Sequence, residues 1–160
     1  MLVTAVSKSV VSPAAVLLDG EPTRRERSSS LNGLSDAAVI VGSLLVLGLA
    51  VFQVLLAAGQ PLGHAAFGGK TSVLPRRLRV ASGLSAVIFV IAFGVLLARA
   101  GHLGDVRGAG LVRVGTWIFA GVFLLSAFAN VASSSRWEQR VMAPVALLLA
   151  ASFFIVALHA

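Results

Sequence analysis

The residues of this 160-residue chain that could do chemistry are mostly basic, and six of them fall in two short segments, residues 70–79 and 136–140. Arginine binds phosphate through paired hydrogen bonds, and Gly68 and Gly69 would let backbone N–H groups approach an anion. The pattern predicts a shallow basic patch if the two segments meet. Its candidate ligand-binding residues are His64, Gly68, Gly69, Lys70, Arg76, Arg79, Asn130, Arg136 and Glu138. The alternative is ordinary anchoring of these cations to anionic lipid headgroups, with Glu138 explained by a helix cap and by neighbouring arginines.

A nucleotide-binding loop is excluded, although residues 63–71 contain Gly-Lys-Thr after an earlier glycine. The phosphate-binding pattern requires four residues between Gly63 and Gly69, and this chain has five. That loop must also join a strand to a helix, and the surrounding apolar sequence predicts no strand.

The sequence lacks the residues that other kinds of catalysis and cofactor binding require. The chain has no cysteine, which removes thiol catalysis and Cys-ligated metals. His64 and His102 fall in predicted loops at opposite ends, and His159 is next to last, so they cannot pair as haem or metal ligands. No serine is placed by spacing beside His64. The sequence therefore predicts no catalytic residue, no metal and no cofactor, and a non-enzymatic protein.

The elements that must position these residues are four stretches free of Asp, Glu, Lys and Arg: residues 37–69, 80–98, 114–135 and 141–160. About 20 apolar residues in a helix cross a hydrocarbon core of roughly 30 Å. Hydrophobic residues make up 58% of the chain, charged residues 12%, and the mean hydropathy is +0.95. A soluble helical protein would need a polar stripe on each helix, which these stretches lack. We therefore expect an all-α polytopic membrane protein with four transmembrane helices in a compact bundle.

Residues 1–34 are predicted to form a disordered N-terminal tail, and residues 35–160 the four-helix transmembrane domain. The tail has neither the basic start nor the continuous apolar core of a signal peptide. Helices are expected near residues 34–58, 75–99 and 111–132. The fourth begins at the capping box Ser135-x-x-Glu138, and Pro144 should kink it unless it begins at Val141.

Small and polar residues share one face of helix 1 and one face of helix 3, and such faces pack together in membranes. Gln53 and Asn130 fall toward the same end of the bundle, so we expect them to approach each other. They would form either an interhelical hydrogen bond or a polar floor beneath the basic patch. Because no Asp or Glu lies in the middle of a span, proton-coupled multidrug export is disfavoured.

The net charge of +7 is explained by basic residues beside the apolar stretches, where they meet lipid phosphates, and nucleic acid is not an expected partner. The expected partners are the bilayer, its anionic headgroups, and a second copy or another membrane protein. Juxtamembrane basic residues number six on each side, so the positive-inside rule selects no orientation. Insertion in both orientations is an open alternative. Arginine greatly outnumbers lysine, and alanine and glycine are abundant, as in proteins of GC-rich bacteria.

Short motifs extend across most of residues 35–160: Pro61-x-Gly63, Phe67-Gly68-Gly69, Leu74-Pro75-x-x-Leu78-Arg79-x-x-Ser82, and Asn130-x-x-Ser133-x-Ser135-x-x-Glu138 with Pro144. In these the chain resembles a family of small, mostly bacterial, four-helix integral membrane proteins. The resemblance implies the four-span architecture and no activity. The resulting hypothesis is a non-enzymatic accessory or interaction component of the bacterial cytoplasmic membrane. The alternative is a carrier or binding protein for a small anionic or lipid-like molecule.

Overall fold

Four long helices make up most of the computed structural model, which describes residues 24–159. They are α1 (Arg24–Ala57), α2 (Arg76–Arg99), α3 (Gly110–Val131) and α4 (Ala143–His159), and no strand occurs in that range. Two 3₁₀ turns, Gly63–Ala65 and Phe67–Gly69, lie between α1 and α2. The all-α prediction is confirmed for the described residues. Four helical segments are long and apolar enough to cross a membrane.

The helices form a bundle in which each packs beside its neighbours in the chain. The most extensive contacts are α1 with α2 and α3 with α4, followed by α1 with α4, while α2 meets α3 over a smaller area. Loop 1 (residues 58–75) and loop 3 (residues 132–135) therefore share one end of the bundle. Loop 2 (residues 100–109) lies at the other. We call the first of these the loop-1 end.

The centre of the bundle is filled by phenyl rings and small residues. Phe123 contacts Phe89, Phe119 and Phe153 with ring centroids 5.3–6.1 Å apart. At Gly42 an added Cβ would lie 2.9 Å from the Leu96 side chain, so α1 approaches its neighbours closely there.

The outer surfaces of the helices are apolar. Leu44, Leu125 and Phe128 are each about two-thirds exposed, and between 22% and 44% of the residues in each span's most apolar window are buried in the bundle. Soluble proteins rarely expose contiguous apolar surface on this scale, because its contact with water is unfavourable.

Helix α1 begins at Arg24, ten residues before the predicted start, so residues 24–33 are helical where the sequence predicted a disordered tail. This segment has no proline, and its serines find partners within the helix: Ser29 and Ser30 donate to the Glu26 carbonyl at 2.9 and 2.8 Å. The rest of the predicted tail, residues 1–23, lies outside the described residues.

A π-helical segment, Glu138–Met142, precedes α4. It lies just before Pro144, where the sequence predicted a simple kink. Proline has no N–H, and in an α-helix its ring would clash with the carbonyl four residues earlier. The wider turn relieves this, with the Ala143 N–H donating to the Glu138 carbonyl five residues before it. The helix therefore continues past Pro144, and Glu138 lies in the widened turn.

Candidate functional site

Loop 1 folds back over its end of the bundle. The Gly63 N–H donates to the Ser72 carbonyl at 2.8 Å, which closes the loop on itself. A second apolar cluster beneath it joins Leu56 of α1 to Ala66 and Leu74 of the loop, all three buried. The loop is thus held by both backbone and apolar contacts.

Loop 1 also rests on loop 3, and glycines permit the approach. Gly69 has a φ of +69°, and an added Cβ there would lie 2.8 Å from the His64 carbonyl oxygen and 3.1 Å from Ser135 Oγ. Ser135 Oγ in turn donates to that His64 carbonyl at 3.2 Å. The two loops therefore meet through backbone and hydroxyl groups.

Glu138 is the charged group at the centre of this junction and is only 8% exposed. Its Oε1 accepts the Gly68 N–H at 2.9 Å, and its Oε2 accepts the Ser133 hydroxyl. Both side-chain oxygens therefore accept hydrogen bonds from the loops at this end of the bundle. No lysine, arginine or histidine among residues 25–159 pairs with it: the donors it meets are neutral.

The predicted capping box is half formed. The Glu138 N–H points to Ser135 Oγ at 3.5 Å, as the motif requires. The Glu138 side chain does not return to the Ser135 N–H, which donates to Ser133 Oγ at 3.1 Å instead. The sequence predicted that the Glu138 side chain serves a helix cap and pairs with nearby arginines, and this is corrected. The side chain instead holds loop 1 through the hydrogen bond from Gly68.

A cavity of about 300 Å³ lies beneath loop 1. It is enclosed by the loop, by α1, α2 and α3, and by the start of the fourth candidate membrane span, Glu138–His159, called the fourth span below. Four phenyl rings line it, from Phe52, Phe67, Phe89 and Phe123. Its polar lining residues are Gln53, Ser85, Ser126, Asn130 and Glu138. The volume falls at the lower end of the range for small-molecule sites, and the mixture of apolar walls with a few polar groups is typical of them.

Gln53 and Asn130 both line this cavity, so they lie at the same end of the bundle as expected. No hydrogen bond joins them, and Oε1 of Gln53 is buried with no hydrogen-bond partner. A buried carbonyl oxygen without a donor costs about 1–3 kcal/mol.

The predicted basic residues lie elsewhere. The side chains of His64, Lys70, Arg76 and Arg136 are exposed, and none of them lines the cavity. Arg79 donates from Nε to the Ala57 carbonyl at 2.9 Å and shares with Arg76 a shallow surface depression.

The predicted glycine N–H groups are already used within the chain. Gly68 donates to Glu138, and Gly69 donates to the Ala66 carbonyl at 3.0 Å. Of the nine predicted residues, the structure therefore brings Gly68, Asn130 and Glu138 together. The phenyl rings and Ser85 were not predicted, because phenylalanine also occurs on the outer surface of the bundle and its position in the sequence does not show which rings face inward.

At the opposite end, the sequence reasoning also missed the burial of Arg99, which is 9% exposed. Its guanidinium donates to the Arg107 carbonyl at 3.1 Å and to the Ala157 carbonyl at 3.4 Å. These bonds connect α2 with loop 2 and with the end of α4, which gives Arg99 a structural role.

Within residues 24–159, no group of three histidine, aspartate or glutamate side chains is placed to hold a metal ion. In comparisons with known proteins, no family model, no curated protein and no solved structure matches the chain. The arrangement beneath loop 1 must therefore be interpreted from its own geometry.

Proposed function

We propose that the chain is a multi-pass protein of the bacterial cytoplasmic membrane that binds a small amphipathic molecule in the cavity beneath loop 1. Membrane insertion is supported by the four apolar helical segments and by their exposed Leu, Val, Ile and Phe side chains. The resemblance to small four-helix membrane proteins agrees with this.

The cavity itself is the observation that carries the binding function: its walls are apolar, and its polar lining residues come from three helices and the start of a fourth. Such a site can hold a molecule with a ring or short chain and a hydrogen-bond donor. The exposed residues Lys70, Arg76 and Arg136 are then free to anchor the loop-1 end to anionic headgroups.

We propose binding without catalysis, because the described residues that line the cavity include no nucleophile with an adjacent base. Ser126 and Ser85 are its hydroxyls, and the Ser85 hydroxyl donates to the Ala81 carbonyl at 3.0 Å. An accessory role in a complex with a second copy or another membrane protein is compatible with ligand binding.

Single cysteines test the cavity directly, since the natural chain has none. Ser126→Cys places a thiol in the cavity, and Leu125→Cys, its neighbour in α3, places one on the outer surface, where Leu125 is 70% exposed. Thiols react with maleimide as thiolates, which require water. In phosphatidylcholine vesicles we expect N-ethylmaleimide to label Ser126→Cys and to leave Leu125→Cys largely unmodified.

Occupancy is tested with benzyl alcohol, benzylamine and phenylacetate, which share a ring and differ in charge. At least one should slow labelling of Ser126→Cys, measured by mass spectrometry at timed intervals. Equal labelling at both positions, or no slowing by any of the three probes, would contradict the proposal.

A further inference from the structure

The Glu138 carboxylate is the only charged side chain among the described residues that line the cavity. The Glu138 residue is only 8% exposed. The two groups that donate hydrogen bonds to it, the Gly68 N–H and the Ser133 hydroxyl, are neutral. Removing a carboxylate from water without a counter-charge is unfavourable. From this we infer that the cavity binds an organic cation, a protonated amine or quaternary ammonium group, whose charge pairs with Glu138. This inference rests on the proposed function.

The phenyl rings support a cationic occupant independently. The π-face of an aromatic ring is negative and attracts ammonium groups, and cages of several rings are the usual way proteins bind them. Phe52 comes from α1, Phe67 from loop 1, Phe89 from α2 and Phe123 from α3, so the rings surround the cavity on several sides. A neutral apolar ligand could contact these rings but would leave the Glu138 carboxylate without a counter-charge.

The uncharged polar groups also favour a donor-rich ligand. Gln53 presents a carbonyl oxygen that lacks a donor, and each Glu138 oxygen has a further lone pair beyond the bond it accepts. A primary ammonium has three N–H donors, which suits a cavity whose lining residues include the carboxylate of Glu138 and the amide of Asn130.

An anionic occupant fits the same geometry poorly. Its charge would lie beside the Glu138 carboxylate, and like charges about 4 Å apart repel strongly when partly shielded from water. The basic residues that could offset this repulsion are outside the cavity lining, although they lie at the same end of the bundle. The predicted preference for an anion therefore belongs to the outer surface, and the interior favours a cation.

The test is titration calorimetry on the full chain in phosphatidylcholine nanodiscs at pH 7, with benzylamine, benzyl alcohol and phenylacetate as probes. We expect benzylamine to bind about tenfold more tightly than benzyl alcohol, and phenylacetate more weakly than either. In Glu138→Gln, benzylamine affinity should fall to that of benzyl alcohol, whose own affinity should stay the same. Asp105→Asn, which removes an exposed carboxylate from loop 2, is the matched control and should change none of the three affinities.

A second variant decides the matter if Glu138→Gln fails to fold. Phe67→Leu keeps an apolar side chain at a residue that is 41% exposed, and it should weaken benzylamine more than benzyl alcohol. Equal affinities for the three probes in the natural chain would overturn the cation inference and leave the proposed binding function intact. If no probe binds, both are wrong.

Discussion

At the scale of single residues, Glu138 joins the parts of the loop-1 end. It begins the fourth span, accepts a hydrogen bond from Gly68 in loop 1 and another from Ser133 in loop 3, and lines the cavity. Under the proposed function, ligand binding and loop attachment would therefore be coupled through one side chain. A ligand that pairs with this carboxylate should also stabilise loop 1, since it stabilises the folded state to which it binds.

Gly69 is a loop residue where a side chain should be poorly tolerated. Its φ of +69° is strained for any residue with a Cβ, and that Cβ would meet the His64 carbonyl at 2.8 Å. We expect Gly69→Ala to lower the free energy of unfolding by about 2 kcal/mol. Thermal unfolding in detergent, followed by circular dichroism, measures the change.

Gly108 in loop 2 is the control for this substitution. No atom lies within 4 Å of the Cβ it would gain, and its φ is not positive. Gly108→Ala should leave stability unchanged or raise it by about 0.5 kcal/mol through the unfolded state. Similar losses in the two variants would show that the contact between loops 1 and 3 contributes little.

The residue types of the site were visible in the sequence, and their partners were not. Ser135-x-x-Glu138 predicts a local cap, because the motif describes bonds within one helical turn. The side chain instead accepts bonds from Ser133, just before the helix, and from Gly68, 70 residues away along the chain. Likewise the glycine-rich segment suggested a site for an external anion, whereas its N–H binds the protein's own carboxylate. Local patterns identify such groups but cannot choose between local and distant partners.

At the scale of the elements, long-range apolar composition located the helices well and their ends less well. The uncharged stretches predicted the first and last residues of α2 and α3 to within about two positions. A charged residue or a glycine ends each of these stretches, which makes the helix ends visible in the sequence. The start of α1 and the π-helical turn before Pro144 were missed. Both depend on where individual backbone N–H and carbonyl groups find partners, which composition does not reveal.

Arg79 shows how a predicted ligand residue can serve a helix instead. Its Nε donates to the Ala57 carbonyl, at the negative end of the α1 dipole, and its guanidinium packs against Gly59. We expect Arg79→Gln to reduce the free energy of unfolding by about 1 kcal/mol and to leave benzylamine binding unchanged. Thermal unfolding and the calorimetric titration give the two values.

Arg77 is the matched control, because it is exposed, carries the same charge and lies two residues away in α2. Arg77→Gln should change stability by less than about 0.5 kcal/mol. If Arg79→Gln lost benzylamine binding with unchanged stability, Arg79 would instead be a ligand-binding residue, as the sequence predicted.

At the scale of the whole molecule, the cavity arises from the order and rotation of the helices. Its lining comes from α1, loop 1, α2, α3 and the start of the fourth span, and no single segment contains enough of it to be recognised. Periodicity correctly placed Gln53 and Asn130 at the same end. It could not place the phenyl rings inside, because phenylalanine also lies on the outer surface of this bundle, as at Phe128 and Phe154.

The outer surface provides the final test, because its apolar residues are unfavourable in water and favourable in lipid. Val87 lies at the middle of α2 and is 58% exposed, while Leu111, at the start of α3, is 86% exposed. An arginine at the centre of a membrane span costs about 2.5–3.5 kcal/mol, and one near the interface much less, because its side chain can reach the headgroups. We therefore expect Val87→Arg to reduce the fraction of protein that resists carbonate extraction from membranes, and Leu111→Arg to leave it near the natural value. In a bundle surrounded by water, both positions would accept arginine equally, so equal behaviour of the two variants would contradict membrane insertion. A selective loss at Val87 would place the middle of α2 in the hydrocarbon and the loop-1 end, with its cavity, close to the membrane surface.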